Sequence, residues 1–136
     1  MNVAEAFATY MQDNLSLGTL GQDIFIGEAP SSNRTNQIPI WWVVASGGDT
    51  LIANQTGEKV KNYTIEVYYR SRNYRDVYTA ISNLEVDVNC DQCVQLSGFD
   101  TIDIEAFSYP IDNDLDDEER KIGLLQINIT VHKECE

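Results

Sequence analysis

The sequence predicts a two-layer α+β domain: a mainly antiparallel sheet with two helices packed on one face, in the order α-β-β-β-α-β-β. Three observations carry this. Two segments, Val3–Met11 and Tyr74–Val88, repeat apolar residues at three and four, which is the helical period. Two long segments, Lys59–Arg72 and Arg120–Lys133, alternate apolar and polar residues, the pattern of strands with one packed face. Two helices are too few to cover both faces of a five-stranded sheet, so they are expected on one.

Each element has its own local reasons. In the first helix Val3, Ala6, Phe7, Tyr10 and Met11 make one stripe. Asn2 can cap it, with Glu5 three residues later. Gly18 and Gly21 lie beyond its end, where breakers belong. The stretch Asp23–Pro30 alternates Ile24 and Ile26 with Phe25 as a short strand. Ser31–Gln37 is polar and reads as a loop, with Arg34 in it. Pro39–Gly48, PIWWVVASGG, is a strand whose neighbours point to opposite sides. Thr50–Glu58 reads as a turn-rich connection.

Lys59–Arg72 places Tyr63, Ile65, Val67 and Tyr69 on one face and Thr64, Glu66, Tyr68 and Arg70 on the other. Asn73 can cap the second helix, whose apolar stripe reads as Tyr74, Val77, Tyr78, Ile81, Leu84 and Val88. A strand follows near Gly98–Tyr109, with Ile102, Ile104 and Ala106 on one side. The last strand sets Leu125, Ile127, Ile129 and Val131 against Gln126, Asn128 and Thr130.

Length and charge bound the class. The 136 residues are most simply one domain spanning 1–136. Nine Lys and Arg against 22 Asp and Glu give a net charge of −13. That balance excludes a surface that grips nucleic acid through phosphate neutralisation, or one drawn to an anionic membrane. Solubility is the favoured reading of it, ahead of a surface that nucleic acid slides past. The N-terminus lacks a basic start and no apolar run is long enough for a membrane span, so a reduced, cytosolic setting is expected. The N-x-S/T triplets at Asn14, Asn33, Asn54, Asn62 and Asn128 then carry no glycosylation meaning.

Candidate chemistry is sparse. Cys90, Cys93, His132 and Cys135 form two pairs with zinc-like spacing. Cys90-x-x-Cys93 lacks a knuckle glycine, and it follows a helix rather than opening one, so a structural or redox site is not the favoured reading. The run Asp112, Asp114, Asp116, Asp117, Glu118 and Glu119 resembles the start of a calcium loop. Asp117 stands where such a loop needs glycine, and Gly123 where it needs the bidentate Glu, so a solvated loop is expected. A single histidine and the absence of nucleophile, phosphate-loop or metalloprotease motifs leave no catalytic machine: no enzyme and no cofactor are expected.

The tryptophan strand raises a different question. With helices on one face, Trp42 with Ile40 and Val44 lies on the other, beside Tyr68. A wet apolar patch there is expected to mark a subunit surface, unless a loop such as Ser31–Gln37 or Thr50–Glu58 folds over it. Ile40, Trp42, Val44 and Tyr68 are one candidate surface; the second helix, or the basic Arg70, Arg72 and Arg75, is another.

Several strings together resemble the tail terminator and minor capsid proteins of long-tailed bacteriophages. They are Ile24-Phe-Ile-Gly-Glu-Ala-Pro30, Pro39-Ile-Trp-Trp-Val-Val44, Gly47-Gly48, Lys61-Asn-Tyr-Thr-Ile-Glu-Val-Tyr-Tyr-Arg70, Tyr109-Pro110 and Glu119-Arg-Lys121. The similarity runs in order along almost the whole chain. It implies a small α+β fold and a homohexameric ring at the end of the tail tube. Such a ring stops tube polymerisation, meets a head–tail connector protein and lets DNA pass without specific binding. It also implies localisation in the virion after assembly in the host cytoplasm. On this resemblance the 112–119 segment faces the bore or the joining face. A head-completion protein of the same virion, and a small zinc-stabilised adaptor, are the alternatives.

Overall fold

The computed structural model describes residues 2–27, 40–45, 50–53, 59–90, 96, 98–113 and 121–133. Among these, two helices and seven strands form: α1 (Val3–Asp13), β1 (Ile24–Ile26), β2 (Ile40–Ala45), β3 (Thr50–Ala53), β4 (Lys59–Ser71), α2 (Tyr74–Cys90), β5 (Asp100–Ser108), β6 (Asp112–Asn113) and β7 (Lys121–Lys133). The predicted α+β architecture and element order hold, with two short strands added.

The sheet is built on β4 and β7, thirteen residues each, paired antiparallel along their whole length. At about 3.3 Å per residue this central ribbon is roughly 40 Å long. β2 and β3 share the free side of β4, β2 against its C-terminal half and β3 against its N-terminal end. β5 and β6 likewise share the free side of β7. β1 joins the outside of β2 and is the one parallel pairing among the described strands. Two sequence expectations change here. Thr50–Ala53, read as connection, is a hairpin strand, and Asp112–Asn113, read as loop, pairs with Ile122 and Lys121. Both are short and lack alternation, so only a partner already in place selects them.

Both helices lie on one face. Phe7, Met11, Val77, Ile81, Leu84 and Val88 share a core with Ile24, Trp41, Val43, Ile65, Val67, Leu125, Ile127 and Ile129. The helix starts follow from their caps. Asn2 Oδ1 accepts the Glu5 N–H at 2.8 Å, and Asn73 Oδ1 accepts the Arg75 N–H at 2.9 Å. Tyr74 and Tyr78 depart from the expected stripe. They are 57% and 58% exposed and stack on each other, so the buried stripe of α2 is Val77, Ile81, Leu84 and Val88. In β5 a register shift between Thr101 and Asp103 sets Ile102 out of the pairing, while Ile104 and Ala106 stand opposite Ile129 and Ile127.

The outer edge of β5 is closed by α2. The Asn89 side chain donates to the Ala106 carbonyl at 3.0 Å and accepts the Ala106 N–H at 2.8 Å, pairing as a strand would. One turn earlier, Glu85 Oε2 accepts the Ser108 N–H at 2.7 Å. Open edges recruit other strands, and these two side chains occupy the Ala106 and Ser108 groups that could do so. Asn89→Ala should therefore cost about 1 kcal/mol. It should also speed hydrogen exchange at the Ala106 amide, read by NMR against the unaffected amides of Ile127 and Ile129.

Candidate functional site

The face away from the helices divides along β4 and β7. Toward the start of β4 it is polar. Thr64 Oγ1 donates to Asn128 Oδ1 at 3.1 Å and Thr130 Oγ1 to Asn62 Oδ1 at 2.6 Å, each a directly opposed cross-strand pair. Toward the end of β4 it is apolar. Trp42 lies opposite Tyr68, and their rings stack at 5.1 Å and 6°. The Arg70 guanidinium sits 5.4 Å over the same indole.

The expectation of a wet indole is not met. Trp42 is 7% exposed, Ile40 1% and Arg70 5%, although none of them joins the core under the helices. Trp41, on the helix side, is 4% exposed. Both indoles are thus covered within one chain, and a Trp42-centred sticky patch is absent. The physical reason is long-range: alternation fixes which face a side chain takes but not what lies on that face. Val44 and Tyr68 keep partial exposure, and Arg72 and Arg75 are exposed.

The same face carries two exposed aromatics that the sequence reading passed over: Phe107 at 48% and Tyr109 at 45%. Phe107 stands opposite Gln126, whose Oε1 accepts the Tyr109 hydroxyl at 2.8 Å. Their signal was available in the β5 alternation, where Phe107 falls out of phase with Ile104 and Ala106.

Tyr68 donates a hydrogen bond to Glu66. Burial, that bond and the Glu66 charge push the Tyr68 pKa from 10.0 to about 12. Since folding holds this proton beyond its unfolded pKa, the stabilisation is complete below pH 10 and disappears as pH rises from 10 to about 12. Urea midpoints measured across that window should fall, and Tyr68→Phe should flatten part of the fall.

The remaining sequence candidates lie at or beyond the described residues. Asp112 is in β6 and His132 in β7, with their side chains undescribed; Cys90 ends α2 likewise. Cys93, Cys135, Asp114, Asp116, Asp117, Glu118 and Glu119 fall outside the described residues. Among the described residues no three His, Cys, Asp or Glu side chains gather as a metal site. Among them, too, no helix is long and apolar enough to cross a membrane.

A family model described as bacteriophage tail terminator protein matches residues 11–133. The chain belongs to that family. Among solved structures, a chain from the virion of a native gene transfer agent particle matches at a TM-score of 0.54 and 14% identity, covering 96% of each chain. At that identity the likeness shows a shared fold. Comparison with curated proteins gave no match. Family membership makes this chain a structural protein of a phage tail, located in the virion.

Proposed function

We propose that this protein forms a ring, with a hexamer expected, at the head-proximal end of a phage tail tube. There it stops tube polymerisation and meets the head–tail connector, without catalysis. The family match over residues 11–133 carries this reading.

A ring requires each subunit to present two different surfaces. One is the helix-free face, where Val44 and Tyr68 lie across β7 from exposed Phe107 and Tyr109, with Ile40, Trp42 and Arg70 buried beside them. The other is the start of α2, with Arg72, Arg75 and the stacked pair Tyr74–Tyr78. The acidic run Asp112–Glu119 serves the bore or the joining face. With a net charge of −13, DNA passing the centre is repelled rather than held.

The test is negative-stain imaging and sedimentation of the purified protein with isolated tail tubes. The expected result is ring density at one tube end and loss of further tube growth. A monomer that never associates with tubes, or that sediments with filled heads instead, overturns the proposal.

A further inference from the structure

Four charged side chains sit where the isolated chain gains little from them. Arg72 and Arg75 lie at the start of α2, and both are exposed. Cations near a helix N-terminus oppose its dipole. Asp103 and Glu105 are exposed on β5, two residues apart and so on one side of the strand. Asp103 stands opposite Thr130 and Glu105 opposite Asn128, which puts both carboxylates on the helix-free face. The Asn128 and Thr130 side chains bond Thr64 and Asn62, so neither carboxylate has a cation opposite it. Among the described residues no ion pair engages the side chains of Arg72, Arg75, Asp103 or Glu105.

Each charged pair adjoins exposed rings. Among the described residues the exposed aromatics are Tyr74, Tyr78, Phe107 and Tyr109. Tyr74 and Tyr78 bracket Arg75 on α2 and stack with centroids 6.5 Å apart. Phe107 continues the side of β5 that holds Asp103 and Glu105, and Gln126 accepts the Tyr109 hydroxyl on the same face. Rings already held in place lose little freedom on docking. The two surfaces therefore match in kind: two arginines with two rings, and two carboxylates with two rings.

The halves cannot meet within one chain. Asp103 and Glu105 lie level with Asn62 and Thr64 near the start of β4, while Arg72 follows its end. From Thr64 to Arg72 the strand covers about 26 Å at roughly 3.3 Å per residue.

We propose that they are the two halves of one contact between copies of this chain. In it, Arg72 and Arg75 of one subunit face Asp103 and Glu105 of the next, and Tyr74 and Tyr78 pack on Phe107 and Tyr109. Charge complementarity selects a second copy, since each half carries the charge that the other lacks. The contact is head-to-tail, so it propagates from copy to copy and closes as a ring. It deepens the ring proposed above and rests on it. The aromatics supply the attraction. The charges set the register, because solvated surface pairs add little whereas like charges brought together cost much.

The test is charge reversal, read by sedimentation velocity and by negative-stain imaging of tail tubes incubated with the protein. Arg72→Glu with Arg75→Glu, and separately Asp103→Arg with Glu105→Arg, put like charges at every contact. Each should weaken assembly at least tenfold. All four positions are exposed, so circular dichroism should show both variants folded. Mixing the two should restore rings in which native and reversed contacts alternate. All four substitutions in one chain should restore them as well. Asp13→Arg with Asp87→Arg, which changes the charge at exposed positions outside both surfaces, should leave assembly unchanged.

If the unmutated chain caps tubes, three results overturn the contact and leave the ring standing. They are unimpaired assembly of either reversed variant, rescue by neither the mixture nor the fourfold variant, and rescue that stops at a dimer. Impairment of the Asp13 and Asp87 variant to the same depth also overturns it, since bulk charge would then explain the loss. An unmutated chain that never associates with itself or with tubes removes the ring and the contact together.

Discussion

Replacing Trp42 by alanine should cost about 3–5 kcal/mol of folding stability, the range for truncating a large buried aromatic. The indole loses a stack at 5.1 Å on Tyr68, and the Arg70 guanidinium loses the ring it lies over in an almost fully buried position. A buried cation deprived of its neighbour adds desolvation cost to the empty volume. Urea unfolding by circular dichroism measures the loss. Trp42→Phe, which keeps a ring on Tyr68, should cost markedly less. A loss below about 1 kcal/mol for Trp42→Ala would mean that the indole is wet in solution. The helix-free face would then regain the exposed patch first expected of it.

Gly123→Ala should destabilise the fold by about 1–3 kcal/mol, although it adds a single methyl group. Gly123 lies opposite Tyr69 on the central ribbon, on the face that α2 covers. A Cβ there would come within 2.6 Å of Ile81 Cγ1 and 2.7 Å of Val77 Cγ1. The glycine is thus needed for close approach of helix and sheet. Ile81 and Val77 are packed core side chains, so neither can move aside without disturbing its neighbours. Val77→Ala in the same chain should recover part of the loss, giving a double-mutant coupling of about 1 kcal/mol by thermal or urea unfolding. Additive losses would show that α2 has shifted rather than clashed.

The central ribbon was legible because alternation runs over seven residues in each long strand, Tyr63–Tyr69 in β4 and Leu125–Val131 in β7. A one-residue slip would turn Ile65, Val67, Leu125 and Ile127 out of the core together. The caps at Asn2 and Asn73 were legible because an Asn side chain meets its helix within three residues of sequence. β3 and β6 were not, since four and two residues carry no period of their own. The exposure of Tyr74 and Tyr78 was hidden for a related reason. A stripe read from spacing has a width, and only the packed sheet shows where its margin falls.

The candidate site divides in the same way. The exposed position of Arg72 and Arg75 and the facing of Trp41 and Trp42 to opposite sides follow from local chemistry and the geometry of a strand. The covering of Trp42 does not. Trp42, Tyr68 and Arg70 come together only when β2 and β4 pair. The sequence alone determined the fold class, the two-sided strands, the acidic charge and the likeness to tail terminators, since each is written in residues near one another or in their totals. The tertiary structure decided that the second indole is covered and that side chains of α2 pair with the edge of β5. Burial and proximity between distant segments depend on how whole elements pack, and no local pattern encodes that.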